Sequence, residues 1–194
     1  MKRIALFLFF TSIPFAATSQ AAIAVFDILG AESAPFDGSG VGGTLTSDIG
    51  VVLTTTALAP SGTISINLSG MGINEAASGD AASAFDDNNG TESWSFSFDT
   101  EIVSLTIDLN ALTAAESFEV SSPAFTTITL NDDGNDIFTI TQSVPSGTSV
   151  TLTVVAAGTE AALVAFSVNT IPEPSSAFLA LVGVSLMGLR RRRS

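Results

Sequence analysis

Ser93-Trp94-Ser95-Phe96-Ser97-Phe98 is the stretch whose reading decides the fold. Its rings fall on every second residue and serines fill the gaps, the period of a strand with one face on a core and the other on solvent. A helix of the same residues would spread the rings around its whole circumference. After a turn at Asp99-Thr100-Glu101 the alternation resumes at Val103, Leu105, Ile107 and Leu109, which reads as an antiparallel neighbour.

Outward from there, Thr126 to Leu130 and Ile137 to Thr141 read as a hairpin across Asn131-Asp132-Asp133-Gly134-Asn135-Asp136, residues that tolerate left-handed backbone. Val150, Leu152 and Val154 alternate again, and Ala161 to Val168 supplies a last strand. Val25 to Leu29, Gly50 to Thr56 and Thr63 to Leu68 read as earlier strands, and a helical turn fits at Ala111 to Glu116. Roughly nine or ten short strands predict an all-β fold, a single antiparallel β-sandwich of jelly-roll-like type. The polar stretch from Asn74 to Asn89 reads as a long loop on its rim.

Charge divides the chain into three parts. All six basic residues lie at the extremities, Lys2 and Arg3 at one end and Arg190 to Arg193 at the other. Eighteen of the nineteen acidic residues lie between Ala22 and Thr170, so that segment carries a formal charge of −18. It cannot neutralise phosphates, which excludes nucleic-acid binding, and its carboxylates repel one another without an internal cation. Cysteine, histidine and tyrosine are absent and the only lysine is Lys2, which removes serine–histidine triads, thiol nucleophiles, Schiff-base lysines and histidine-bound metals.

The N-terminal end has the three-part layout of a secretory signal peptide over residues 1–21: Lys2-Arg3, an apolar run from Ile4 to Phe10, and small residues leading to Ser19-Gln20-Ala21. The run is too short to span roughly 30 Å of hydrocarbon. Cleavage is expected between Ala21 and Ala22, with signal peptidase as the partner, leaving residues 22–170 as the exported acidic domain.

At the C-terminal end stand Pro172-Glu173-Pro174, an apolar segment from Ser175 to Leu189, and Arg190, Arg191, Arg192 and Arg193. The prolines form a stiff hinge outside any helix. The apolar segment reaches roughly 22 Å as a helix, a marginal span that arginine snorkelling accommodates. Each arginine costs about 2.5–3.5 kcal/mol at the bilayer centre, so the four act as a stop-transfer block and remain cytoplasmic. The reading is an inner-membrane anchor at 175–189 with the domain in the periplasm.

This order of elements over residues 171–194 resembles the PEP-CTERM sorting signal of Gram-negative bacteria. The resemblance implies that Pro172, Glu173 and Pro174 are recognition residues for exosortase, a membrane protease-transpeptidase. It further implies that the tail is removed and the protein passed to the cell surface or the extracellular matrix. Exopolysaccharide is the partner expected if the β-sandwich itself associates with polysaccharide.

Chemistry within the acidic segment is sparsely written. Asp86, Asp87, Asn88 and Asn89, with Asp80 or Glu92, supply the oxygen ligands that Ca2+ takes, but they do not match the twelve-residue calcium-hand pattern, and a solvated acidic turn is the plainer reading. Asp132, Asp133 and Asp136 read as turn formers. Glu92, Asp99, Glu101, Asp108, Glu116 and Glu119 are raw material for a two-carboxylate glycosidase, yet none stands in a catalytic motif. Trp94 shares the phase of Phe96 and Phe98, which favours burial over sugar stacking. The expectation is a non-catalytic β-sandwich for adhesion, structure or polysaccharide association; the alternatives are a carbohydrate-active enzyme and a calcium-dependent lectin-like module.

Overall fold

The computed structural model describes residues 21–30, 33–74, 84–86, 91–110, 112–155 and 160–171. The expected signal helix and membrane helix lie outside these residues. The strands are β1 (Ala22–Phe26), β2 (Thr44–Thr46), β3 (Val52–Ala59), β4 (Thr63–Asn67), β5 (Gly70–Asn74), β6 (Phe85–Asp86), β7 (Ser93–Phe98), β8 (Ile102–Asn110), β9 (Ser117–Ser122), β10 (Phe125–Asn131), β11 (Ile137–Ile140), β12 (Val150–Val154) and β13 (Glu160–Thr170).

They form two antiparallel sheets. One has the order β11-β8-β13-β5-β4, with β1 and β6 also pairing with β13; the other has the order β10-β9-β12-β7-β3-β2. The period-two reading of β7 holds residue by residue, since Trp94, Phe96 and Phe98 are buried and the serines between them are half-buried. Their rings face Phe166 of β13 in the opposite sheet, edge-on to Phe96 at 5.3 Å and stacked on Phe98 at 5.8 Å. Phe26 of β1 closes the cluster, 5.6 Å from Phe166 and 6.0 Å from Phe98. The core is therefore a layer of aromatic rings between two sheets, the stabilising arrangement expected of offset and edge-on pairs. The buried indole N–H of Trp94 donates to Thr55 Oγ1 at 3.2 Å, so the one polar atom of that side chain is satisfied.

Three expectations are corrected. The strands flanking Asn131 to Asp136 are not a hairpin: β10 pairs with β9 in one sheet, whereas β11 pairs with β8 in the other. The acidic turn is thus a crossing between sheets. Each strand takes an apolar partner in its own sheet, Leu130 opposite Phe118 and Phe138 opposite Ile107. Among the described residues, Leu112 to Glu116 is a turn rather than a helix, closed by Glu116 N–H donating to Thr113 O at 2.8 Å and Thr113 N–H donating to Glu116 Oε2. The polar stretch before β7 is interrupted by β6, whose Phe85 is buried and pairs with Ala161 of β13.

Two glycines make room for this. Gly70 has φ +143°, and a Cβ there would lie 2.5 Å from Ala162 Cβ. At Gly72 a Cβ would lie 2.1 Å from the Ala84 carbonyl oxygen, so β5 admits the chain leading into β6 only because that position has no side chain.

Candidate functional site: paired junctions at one sheet end

β1 and β13 carry the residues next to the two expected processing points. Alternation explains both strands: Ala24 and Phe26 of β1, and Phe166 and Val168 of β13, point into the core, while Ile23 and Val25 point out. The antiparallel register runs from Phe26 opposite Phe166 to Ala22 opposite Thr170. Thr170 is buried and its Oγ1 donates to Ala22 O at 3.3 Å. On its other side β13 pairs with β8 as far as Thr170 opposite Ile102. Of the two expected cleavage residues, Ala22 thus lies directly across from Thr170, the last residue of β13, and Ala21 precedes it. Pro172, Glu173, Pro174 and Arg190 to Arg193 lie outside the described residues.

The proposed calcium ligands divide. Asp86 is on β6 and only 1% exposed, not on a solvated loop. Asp87, Asn88 and Asn89 lie outside the described residues. Glu92 is equally buried, and its Oε2 accepts the Asp86 N–H at 2.9 Å. Two buried carboxylates therefore bracket residues 87–90. Burial of such groups is costly unless they are hydrogen-bonded, and no lysine, arginine or histidine of the acidic segment exists to pair with them. Sequence reasoning underrated Glu92, although its signal was present: even numbers run inward along β7, and stepping back two residues from Trp94 reaches Glu92. Among the described residues no group of three or more acidic side chains converges to hold a metal.

Among the described residues the other carboxylates converge on no common site, although Asp108 and Asp136 are neighbours. Asp132 Oδ1 accepts Gly134 N–H at 2.7 Å, and Asp133 Oδ1 accepts Asn135 N–H at 3.0 Å and Asp136 N–H at 3.2 Å. These are backbone-bonding turns of the kind Asp forms anywhere. Asp99 Oδ1 accepts Val52 N–H, Glu101 Oε1 accepts Ser143 Oγ–H, and Glu116 closes its own turn. Asp108 lies in β8 of one sheet and Glu119 in β9 of the other, each half-buried between inward-facing neighbours, so they flank opposite sides of the core.

The Asp108 carboxyl is held above its ordinary range, first because burial penalises its charge and second because Asp136 is a like charge nearby. Asp136 has φ +54°, and its Oδ1 is buried with no hydrogen-bond partner. Asp108 lines a shallow cavity of about 170 Å³ with Val25, Thr106, Ile137, Ala165 and Ser167.

The solvent side of the β3-β7-β12-β9 sheet is dominated by hydroxyls. Ser95 and Thr151 share a hydrogen bond at 2.7 Å across β7 and β12, and Thr56 and Ser149 share one at 3.1 Å. Trp94 is fully buried and offers no ring to a sugar.

No curated protein and no solved structure matches this chain at a significant level. One family comparison does: residues 170–194 match the PEP-CTERM protein-sorting motif. That match begins at Thr170, the final residue of β13 and the partner of Ala22. The motif implies export and an exosortase as the processing partner, and the described residues, all-β in structure, accordingly lead at the end of β13 into a stretch that matches the PEP-CTERM protein-sorting motif.

Proposed function

We propose that this is an exported surface or extracellular-matrix protein whose β-sandwich is non-catalytic and whose tail is removed by an exosortase-like membrane enzyme after signal peptidase has cut at Ala21-Ala22. The single observation that carries the reading is the sorting motif at residues 170–194. Signal-like and anchor-like segments outside the acidic part support it, because all the basic residues sit in pieces that processing discards. The folded part then carries −18 and keeps its solubility by repulsion.

Adhesion, structural bulk or association with exopolysaccharide fits the hydroxyl-lined sheet face better than catalysis does. A face of Ser and Thr offers weak, repeated hydrogen bonds to hydrated polymers, and a glycosidase needs two carboxylates at about 5–10 Å across a cleft. Mass spectrometry of the extracellular protein tests the sorting step: the expected mature chain starts at Ala22 and lacks Arg190 to Arg193. Extracellular protein that keeps those arginines would refute it. Glycan-array binding with and without added calcium separates bulk protein from a lectin-like module, and shortening of a polysaccharide on incubation would instead establish an enzyme.

A further inference from the structure

The fold leaves very little free chain in front of the sorting motif. With β1 docked, β13 is flanked by β8 on one side and by β1 on the other over residues 166–170. Only Ile171 separates Thr170 from Pro172. Enzymes that hold peptides commonly do so by adding the extended chain to a strand edge of their own. Docked β1 occupies the one edge of β13 that such an enzyme could use upstream of the motif; undocked β1 leaves that edge open from residue 166 to residue 170.

β1 also pairs with β13 across nearly the full length of the described chain, the kind of contact expected to form late. Ala22 and Thr170 are 148 residues apart, loop closure becomes costlier with separation, and non-local pairings form slowly. It is a short strand of five residues that inserts Ala24 and Phe26 into the core. Its opening exposes two inward side chains and leaves the rest of both sheets paired.

We infer that β1 gates tail removal: the sorting enzyme cuts chains in which β1 is undocked from β13, and docking of β1 ends the interval in which the tail can be removed. This rests on the sorting reading above. The bond broken is one amide C-terminal to Thr170. Its acyl group passes to water or to an amine or hydroxyl acceptor, and the released tail gains an amino group.

The chain has no cysteine, so an engineered disulfide has no competitor. Val25 gives its backbone N–H to Asp48 Oδ1 at 2.8 Å and accepts the Asp48 N–H at 3.1 Å, so its own backbone groups point away from β13. By alternation Ile23 and Asn169, which are direct partners, form another non-hydrogen-bonded pair, where Cα atoms stand about 4.5 Å apart, within the reach of a disulfide. Full-length protein would be isolated from cells lacking the sorting enzyme and then exposed to membranes that contain it, with tail loss followed by mass.

The oxidised double variant Ile23→Cys with Asn169→Cys is expected to lose its tail at least several-fold more slowly than the same protein after reduction, while either single variant behaves like the wild type. Ala24→Pro, which removes a ladder donor from β1, is expected to lose its tail faster than the wild type. Equal rates for the oxidised and reduced double variant overturn the gate. Retention of the tail by every form, including Ala24→Pro, overturns the sorting reading itself.

Discussion

Two acidic segments of nearly the same composition meet opposite fates in this molecule. Asp86 and Glu92 are each 1% exposed and joined by a hydrogen bond from the Asp86 N–H. Asp133 is exposed and Asp132 half-buried, and both accept hydrogen bonds from backbone within their own turn. Both runs mix Asp, Asn and Gly and both precede a strand. What separates them is the partner strand: β13 extends far enough to pair with Phe85 and Asp86 and draws them inward, while the 132–136 segment crosses between sheets and is not itself part of a strand. Acidic residues in a loop therefore report a turn or a buried polar centre only through what the loop lies against.

The contrast can be broken most strongly at Gly72. Gly72→Ala sets a Cβ against the Ala84 carbonyl, which is backbone and cannot swing aside. Overpacking of this kind costs about 3 kcal/mol, read as a lower urea midpoint, and hydrogen exchange at Phe85 and Asp86 should rise to match the exposed turn. A midpoint equal to that of the wild type would show that residues 84–86 do not need the space.

A smaller loss is expected at the buried centre itself. Glu92→Ala removes the acceptor of the Asp86 N–H, for which about 1–3 kcal/mol is typical. Glu92→Gln keeps an acceptor oxygen and should recover at least half of that loss in the same denaturation experiment. The exposed counterpart should respond less: Asp133→Ala frees two N–H groups that water can reach, costing about 0.5–1 kcal/mol. If Asp133→Ala proved as damaging as Glu92→Ala, the contrast between the two segments would fail.

The smallest effect concerns Asp108, which touches the turn through Asp136. Its carboxyl is raised from the ordinary 3.8 by burial and then by Asp136. Just above that pH the folded state binds more protons than the unfolded state, so stability falls as pH rises through the raised value. Asp108→Asn should remove this component of the pH dependence. The variant should gain slightly over the wild type at neutral pH, with the gain fading below about pH 3.8; a gain that persisted unchanged in acid would assign it to packing.

Much of the site was legible along the chain, although unevenly. Pro172-Glu173-Pro174 and the terminal arginines were readable because three unlike elements in a fixed order are local features. Glu92 was readable from the phase of Trp94, once period two is carried back through it. The proximity of Ala22 to Thr170 was not, since no local pattern tells which of several strands a given strand will join. The false hairpin at 131–136 has the same origin: its turn residues are correct for φ above zero, and Asp136 does adopt +54°, but turn chemistry does not choose the sheet.

Side-chain phase and charge placement are properties of residues taken a few at a time, and here the sequence alone determined them: the alternating strands, the inward aromatic row from Trp94 to Phe98, and an anionic segment between cationic ends. Partnership is a property of the whole chain, and only the tertiary structure decided it. It sent β11 to β8, drew Asp86 under cover, and laid β1 along β13. The physical reason is that apolar faces repeat every two residues in nearly every strand, so many pairings satisfy the local pattern. Which of them forms depends on burying all the faces together, as the rings of β1, β7 and β13 do here.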